Sequence, residues 1–266
     1  MNNLIASPPQ PGVPLAHFGL LVIAGLVAGT MNAIAGGGSF VGFPAMVLAG
    51  LPPIAANATN TVALFPGTVA STWAYRAALR GVAGIGLRVL VPVTLAGGVV
   101  GAVLLLITPG AAFDLVIPWL LLLATLTFAA GPRPGQWLRQ RVRIGRPALL
   151  TIQFILSVYG GYFGGAIGLM MMAVWTLIDP SDLKMLAGAR TALVSTANGA
   201  AILCFLAAGV VWIPEMLAMM GSAIIGGYLG ARIALFLPAH ILRATVVALS
   251  AIVTLGFFAR MIRLFV

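Results

Sequence analysis

Charged residues are scarce in this chain of 266 residues: Asp, Glu, Lys and Arg make up 7% of it, and only four residues are acidic. A soluble domain carries about 25% charged residues. The hydrophobic fraction is 61%, the mean hydropathy is +1.13, and most stretches between charges approach the ~20 apolar residues of one membrane-crossing helix. The composition therefore excludes a soluble domain and indicates several crossings of a lipid bilayer.

Residues that carry catalysis and metal binding are equally few. The chain has four acids, two histidines and one cysteine. Cys204 lies within an apolar run, which excludes a disulfide framework and a thiolate metal site. His17 and His240 lie near the ends of apolar runs, and the glycine-rich segments lack the Lys-Ser/Thr of a phosphate-binding loop. We therefore expect no enzyme activity, no catalytic residues, no metal site and no cofactor.

The net charge of +10 would suggest a nucleic-acid partner in a soluble protein. Here the basic residues are sparse and flank apolar runs, so we interpret them as anchors that set the membrane topology, and we expect no nucleic-acid partner. Residues 1–16 contain no basic residue. Because a signal peptide begins with a basic segment, the first apolar run is expected to remain as a membrane span.

The apolar runs form two series of five, separated by a polar segment rich in Arg and Pro. We predict a first transmembrane repeat over residues 1–130, a cytoplasmic linker over 131–147 and a second transmembrane repeat over 148–266. The runs cover roughly residues 16–36, 39–50, 55–79, 84–108 and 111–130, and then 148–166, 169–178, 183–209, 213–237 and 240–264.

The second run of each series, 39–50 or 169–178, is too short to cross a bilayer untilted. Each follows a glycine-rich break, Gly36–Gly38 in the first half and Gly160–Gly168 in the second, where the backbone has little reason to stay helical. Such runs are typical of half-helices or re-entrant segments. The predicted fold class is an all-α polytopic membrane protein with broken helices and roughly eight to ten membrane segments.

Matching motifs indicate that the two halves are duplicated. Residues 97–102 read GGVVGA, residues 226–231 read GGYLGA, and Pro109 and Pro238 follow the two motifs at the same distance. The spaced glycines in each motif favour close contact between membrane helices, so we assign them to packing.

The basic residues predict how the halves are oriented. Because cytoplasmic loops are rich in Lys and Arg, the linker and the turn with Arg76, Arg80 and Arg88 are expected inside, and the uncharged N-terminus outside. Each half then crosses the membrane an odd number of times, so the two halves are expected to form an inverted repeat. Arg260 and Arg263 disagree with this orientation, since they would face outward.

Polar side chains cluster around the first break. Asn32 and Ser39 flank it, and the segment AANATNT that follows carries four more at the start of a span. A break frees backbone N–H groups, and a half-helix that starts near Ser39 directs the positive end of its dipole there, which favours anion binding. The alternative is that these small residues only allow close helix packing. The four residues are Asn57, Thr59, Asn60 and Thr61.

The second half contributes a basic residue inside a span. Arg190 lies seven residues into its run, or about 10 Å at 1.5 Å per residue, a depth at which an Arg costs about 2.5–3.5 kcal/mol and faces a cavity or a partner. Its partner is either a substrate anion or one of the acids in the preceding loop, Asp179 and Asp182. Thr191, Ser195 and Asn198 share one side of the same helix.

These motifs resemble those of a known family. GxxAGxxNAIAGGGSFxxFP from Gly25, ANATNTVA from Ala56, YGGYFGGAIG from Tyr159 and AGARTAL from Ala187 are similar to the sulfite exporter TauE/SafE family, also called the toluene sulfonate uptake permease family; Leu169 replaces a glycine of its second repeat. The resemblance covers roughly residues 17–262. It implies a multi-pass permease of the bacterial cytoplasmic (inner) membrane for sulfite, thiosulfate, sulfoacetate or related anions. By position, it implies substrate-binding residues at Asn32, Gly36, Gly37, Gly38, Ser39, Asn57, Thr59, Asn60, Thr61, Gly164, Gly168, Arg190 and Thr191.

We therefore predict a secondary transporter that moves small sulfur oxyanions or organosulfonates by alternating access, with the site between the repeats near the membrane midplane. An anion channel lined by the glycine-rich breaks is the alternative, and a membrane scaffold without transport is a third. Asp114 is either a proton carrier or an interfacial acid. The expected partners are the substrate anion and the lipid bilayer, and a homo-oligomer is left open.

Overall fold

The structure, a computed structural model, describes residues 15–35, 37–130, 145–175, 183–233 and 239–265. Within these ranges it contains ten α-helices and no β-strand, which confirms the all-α polytopic class. The first five helices, α1 to α5, are Leu15–Ala35, Ser39–Leu48, Pro53–Ala74, Leu87–Ile107 and Gly110–Ala130. The second five, α6 to α10, are Arg146–Phe163, Ile167–Trp175, Leu183–Ala207, Ile213–Ile233 and Ala239–Phe265.

Several predictions concern residues outside the described ranges. They include those on the uncharged N-terminus, on Gly36, on the linker up to residue 144 and on the acids Asp179 and Asp182. The described helices otherwise follow the predicted apolar runs closely. An apolar run forms a helix in the membrane, and the polar or glycine-rich segments on either side mark its ends.

The two short helices begin directly after the two breaks. Helix α2 starts at Ser39, as predicted, and is 10 residues long. Helix α7 starts at Ile167, two residues before the predicted start of its run, and is 9 residues long. Gly164 follows the last residue of α6 with φ +74°, a left-handed conformation that glycine adopts without the steric cost of a Cβ. The second break is therefore a glycine helix terminus.

Close packing between the halves uses the spaced glycines. A Cβ on Gly29 of α1 would collide with the carbonyl oxygen of Ala223 in α9, and one on Gly226 would collide with that of Leu26. Contacts along this interface advance in the same direction on both helices, from Gly25 against Met219 to Gly29 against Ala223. Helices α1 and α9 therefore run parallel, and small residues let their backbones touch.

The same arrangement joins α4 and α6. A Cβ on Gly97 would lie 2.7 Å from the carbonyl oxygen of Phe154, and one on Gly101 would collide with that of Val158. These contacts also advance together along both helices, so α4 and α6 run parallel. The assignment of the two glycine motifs to packing is confirmed.

A buried polar network holds α7 in place. Gln153 of α6 is fully buried and donates a hydrogen bond to the hydroxyl of Thr94 in α4 over 2.9 Å. Its amide oxygen accepts a hydrogen bond from the indole N–H of Trp175 over 3.3 Å. Because buried polar groups are costly without partners, this network fixes the end of the half-helix against the two long helices.

The outer surface is apolar. Four described helices are long and apolar enough to cross a membrane: Leu87–Ile107, Gly110–Thr127, Leu186–Ala207 and Ile213–Gly230. Large apolar side chains such as Ile23, Leu203 and Leu255 are exposed on helix surfaces. Apolar side chains exposed on several long helices are expected to contact lipid. The chain is therefore a multi-pass membrane protein.

Candidate functional site

A cavity of about 90 Å³ lies between the two glycine-rich breaks. Helices α3 and α8, which pack against each other, form its long walls, and the starts of α2 and α7 close its sides. Seven of the predicted site residues line it: Asn32, Ser39, Thr61, Gly164, Gly168, Arg190 and Thr191.

The cavity extends along α3 from the middle of the bundle to one end. Thr61 at its inner end is 7% exposed, whereas Tyr75, directly after the last residue of α3, is 44% exposed. Arg76 follows Tyr75, and Arg146 at the start of α6 donates a hydrogen bond to the carbonyl of Gly84 over 3.4 Å, in the loop after α3. The outer end of the cavity is therefore on the side where the sequence predicts the cytoplasm.

Arg190 provides the positive charge of the cavity. Its Cγ and Cδ would lie 3.4 Å from a Cβ on Gly168, so this glycine leaves room for the arginine side chain. No described residue forms an ion pair with the guanidinium or accepts a hydrogen bond from it. A guanidinium inside a membrane protein requires a counterion or water. Since Asp179 and Asp182 lie outside the described residues, the choice between them and a substrate anion stays a prediction.

Ser39 adds a hydrogen-bond donor at the start of α2. Its Oγ accepts a hydrogen bond from the amide nitrogen of Asn60 over 3.2 Å, which leaves the hydroxyl proton of Ser39 for another acceptor. As the first residue of α2, Ser39 also lies at the positive end of the helix dipole. The start of α2 therefore favours negative charge, as does Arg190 elsewhere on the cavity wall.

Four hydroxyl groups in the cavity point their protons elsewhere. Thr61 donates to the carbonyl of Asn57 over 2.8 Å, Thr68 to that of Phe65 over 2.8 Å, and Ser71 to that of Gly67 over 2.9 Å. Thr191 likewise donates to the carbonyl oxygen of Ala187 over 3.1 Å. In this arrangement each hydroxyl oxygen presents lone pairs, not a proton, to the cavity.

Five predicted site residues do not line the cavity. Asn57 donates to the carbonyl of Tyr162 over 2.9 Å, and the hydroxyl oxygen of Thr59 accepts a hydrogen bond from the backbone N–H of Trp212 over 3.0 Å. Asn60 supports Ser39. Gly37 and Gly38 are buried, and a Cβ on Gly38 would lie 2.5 Å from the carbonyl oxygen of Ala28 in α1. These residues lie behind the cavity and hold its walls together.

One wall of the cavity, formed by α3, was not predicted from the sequence beyond Thr61. Thr61, Leu64, Thr68, Ser71 and Tyr75 all line it, and their spacing of three or four residues is that of a single helix face. This periodicity extends the polar face of α3 by four turns beyond AANATNT and could have been read from the sequence. Five further lining residues are Ala33, Ile167, Leu169, Val194 and Asn198.

Two acids near span ends lie away from this cavity. Asp114, near the start of α5, has its Oδ1 3.6 Å from a guanidinium nitrogen of Arg260 in α10. This pairing gives Arg260 a counterion at that end of the bundle. Glu215, in the first turn of α9, is buried.

The ten helices of the described ranges, with apolar outer surfaces around a polar cavity, define a multi-pass helical membrane protein. Comparison with known proteins identifies its family: the chain belongs to the sulfite exporter TauE/SafE family, whose model matches residues 21–257. This confirms the resemblance drawn from the sequence motifs. No solved structure matches the chain.

Three curated relatives are similar over most of their length. "Probable membrane transporter protein ORF9" of a Sinorhizobium species is 30% identical over 236 residues, 86% of this chain and 88% of that protein. "Probable membrane transporter protein YfcA" of Escherichia coli strain K12 is 27% identical over 237 residues, 89% and 87%. A "Probable membrane transporter protein" of Haemophilus influenzae is 32% identical over 241 residues, 88% and 92%. The family and these relatives indicate a membrane transporter.

Proposed function

We propose that this protein is a secondary transporter that moves small sulfur-containing anions, such as sulfite, thiosulfate or an organosulfonate, across the bacterial inner membrane. The observation that carries the proposal is the guanidinium of Arg190, which lines a polar cavity between two helix breaks without an acidic partner among the described residues. The sulfur chemistry of the substrate rests on the family, whose name is that of a sulfite exporter.

The surroundings of Arg190 suit a small anion. A guanidinium presents several N–H donors in one plane and binds oxyanions in a bidentate manner. Ser39 adds a hydroxyl proton and the positive end of α2. With a volume of about 90 Å³, the cavity has room for an anion of a few heavy atoms.

Alternating access follows from an inverted repeat, which we propose for the two halves. Each half contains the same series of a long helix, a short helix and three long helices. The first helix of each half packs in parallel on the fourth helix of the other half, α1 on α9 and α6 on α4. This reciprocal pairing is expected of two halves related by a two-fold axis and supports the proposal. In such folds one half rocks against the other around a fixed site, and the present cavity corresponds to the state that opens toward the cytoplasm.

The test is uptake of radiolabelled sulfite by proteoliposomes that contain the purified protein or its variants. Charge-assisted hydrogen bonds contribute about 1.5–3 kcal/mol, so Arg190→Ala should lower the transport rate at least about tenfold. Arg190→Lys should retain part of it, since the charge remains but the planar fork is lost. The matched control is Arg88→Ala, an exposed Arg in the first turn of α4, which should transport like the wild type.

Unchanged sulfite transport by Arg190→Ala would refute the proposed role of the guanidinium. Absence of uptake and of binding for sulfite, thiosulfate and sulfoacetate, with folded wild-type protein, would refute the substrate class. Single-channel currents far above carrier turnover would replace the transporter by an anion channel.

A further inference from the structure

Two oxygen atoms at the inner end of the cavity have lone pairs and no proton to give, the hydroxyl oxygen of Thr61 and the amide oxygen of Asn198. Asn198 is 8% exposed, lines the cavity, and its Oδ1 has no partner among the described residues. Thr61 has already given its hydroxyl proton to the carbonyl of Asn57. An anion cannot satisfy such oxygens, because both sides would offer lone pairs. A hydrogen-bond donor or a cation can.

These oxygens converge on one point at the second break. A Cβ built on Gly164 would lie 3.3 Å from Thr61 Oγ1, 3.7 Å from the carbonyl oxygen of Gly160 and 4.0 Å from Asn198 Oδ1. Gly164 has no side chain, so the space that these three oxygens surround is open. It lies between α3, α6 and α8. Helix α8 packs against both other helices, and Asn57 of α3 donates to the carbonyl of Tyr162 in α6.

The end of α6 adds a favourable dipole. The helix ends at Phe163, so its last carbonyl groups lack partners within the helix and carry partial negative charge. One of them, on Tyr162, is taken by the amide group of Asn57 over 2.9 Å. This bond fixes which end of the Asn57 amide is nitrogen. The other end, Oδ1, is buried and also has no partner among the described residues.

We propose that these oxygens bind a sodium ion, and that the sodium ion and the anion occupy the cavity together. Sodium is coordinated in membrane transporters by unwound backbone carbonyls and the C-terminal ends of half-helices, whereas anions lie at half-helix N-termini. Both environments are present here: the end of α6 lies beside Thr61 and Asn198, and the start of α2 at Ser39 and the guanidinium of Arg190 also line the cavity. All the sodium ligands are neutral, which suits a monovalent ion.

The charge of Arg190 couples the two ligands. A sodium ion in a cavity that already contains a guanidinium is repelled, and an anion between them turns this repulsion into attraction. Each ligand therefore raises the affinity of the other, by the same factor for both. This inference rests on the proposed transport of an anion and adds the ion that drives it.

The test is sulfite uptake by proteoliposomes in three external salts, sodium, potassium and choline gluconate, compared at the same ionic strength. Wild-type uptake should be at least tenfold faster in sodium than in choline, and sulfite should drive uptake of radioactive sodium. Thr61→Val and Asn198→Leu should raise the half-saturating sodium concentration at least tenfold. Asn198→Asp, which retains an oxygen at the same position, should keep sodium dependence.

The control variant is Thr127→Val in α5. The hydroxyl of Thr127 donates to the carbonyl of Leu123 over 2.8 Å, just as the hydroxyl of Thr61 donates to the carbonyl of Asn57 one turn back in its own helix. Thr127 does not line the cavity. Its half-saturating sodium concentration should equal that of the wild type. The wild-type salt comparison decides the question even if Thr61→Val or Asn198→Leu fails to fold.

Equal sulfite uptake in sodium, potassium and choline would overturn the sodium site and leave the proposed anion transport intact. Equal uptake in sodium and potassium, with less in choline, would overturn the assignment of a sodium-sized pocket. If no sulfite is transported in any salt, but sodium chloride raises the melting temperature of the wild type and not of Asn198→Leu, the proposed function fails and the cation site stands.

Discussion

The contact between α1 and α9 leads to a prediction about one methyl group, that of Gly226→Ala. A Cβ at this position collides with the carbonyl oxygen of Leu26, and it would also lie 2.7 Å from the carbonyl carbon and 2.9 Å from the Cα of the same residue. All three are backbone atoms, so no side chain can rotate away to relieve the contact. The helices must separate, which disturbs the packing along the whole interface.

The cost can be estimated against a matched position on the same helix. Gly221 is exposed, and a Cβ there meets no atom within 4 Å. Gly221→Ala should therefore show only the helix-propensity gain of about 0.5–1 kcal/mol. At Gly226 overpacking of about 1–3 kcal/mol opposes the same gain. Because contact between membrane helices depends on van der Waals packing, we expect Gly226→Ala to be less stable than Gly221→Ala by about 2 kcal/mol.

Thermal unfolding of the purified proteins in one detergent measures this difference. At roughly 2–4 °C per kcal/mol for a chain of this size, the melting temperature of Gly226→Ala should lie about 4–8 °C below that of Gly221→Ala. Gly29→Ala added to Gly226→Ala should lower the melting temperature by less than Gly29→Ala does in the wild type, since the helices are already apart. Equal melting temperatures for Gly226→Ala and Gly221→Ala would refute the reasoning, because the collision would then be absorbed at no cost.

Two contacts between α5 and α10 give the remaining predictions. Thr125 donates to the hydroxyl of Thr254 over 3.0 Å, since Thr254 gives its own proton to the carbonyl of Ser250. Thr125→Val should lower the stability by about 1 kcal/mol. In a double-mutant cycle with Thr254→Val, the sum of the two single losses should exceed the loss in the double variant. The pair of Asp114 and Arg260 is partly exposed, with 3.6 Å between charged atoms; Asp114→Asn should lower stability by less than about 1 kcal/mol, and the effect should shrink at high salt. Melting temperatures of Thr125→Val and Asp114→Asn, measured with and without 1 M salt, check the two predictions. A stability loss of several kcal/mol in either variant would contradict its prediction.

Much of the fold was predictable because it depends on properties of neighbouring residues. A run of apolar residues must form a helix in lipid, where each backbone polar group needs a partner within the segment. A run of three glycines such as Gly36–Gly38 favours a break in the helix, and α2 starts directly after it, at Ser39. The spacing of Gly226 and Gly230 is visible in the sequence, and so is its use in helix packing.

The roles of the polar residues were less predictable. Three of the four amide or hydroxyl side chains of AANATNT, which the sequence assigned to one anion site, each meet a different partner. Asn57 binds the end of α6, Thr59 binds the start of α9, and Asn60 binds Ser39. A hydroxyl or amide group bonds to whatever comes within about 3 Å, and that depends on which helix packs alongside.

The amino-acid sequence by itself determined the membrane class, the two series of five helices, the two breaks and the family, because each depends on local composition or on motifs in contiguous residues. Tertiary structure alone decided that Arg190, Ser39 and Asn198 share one cavity, and that Gly164 leaves the space where three oxygens converge. These residues are far apart in the chain, and their distances depend on the register in which α3, α6 and α8 pack. A shift of one helical turn in that register would separate them without changing any local signal in the sequence.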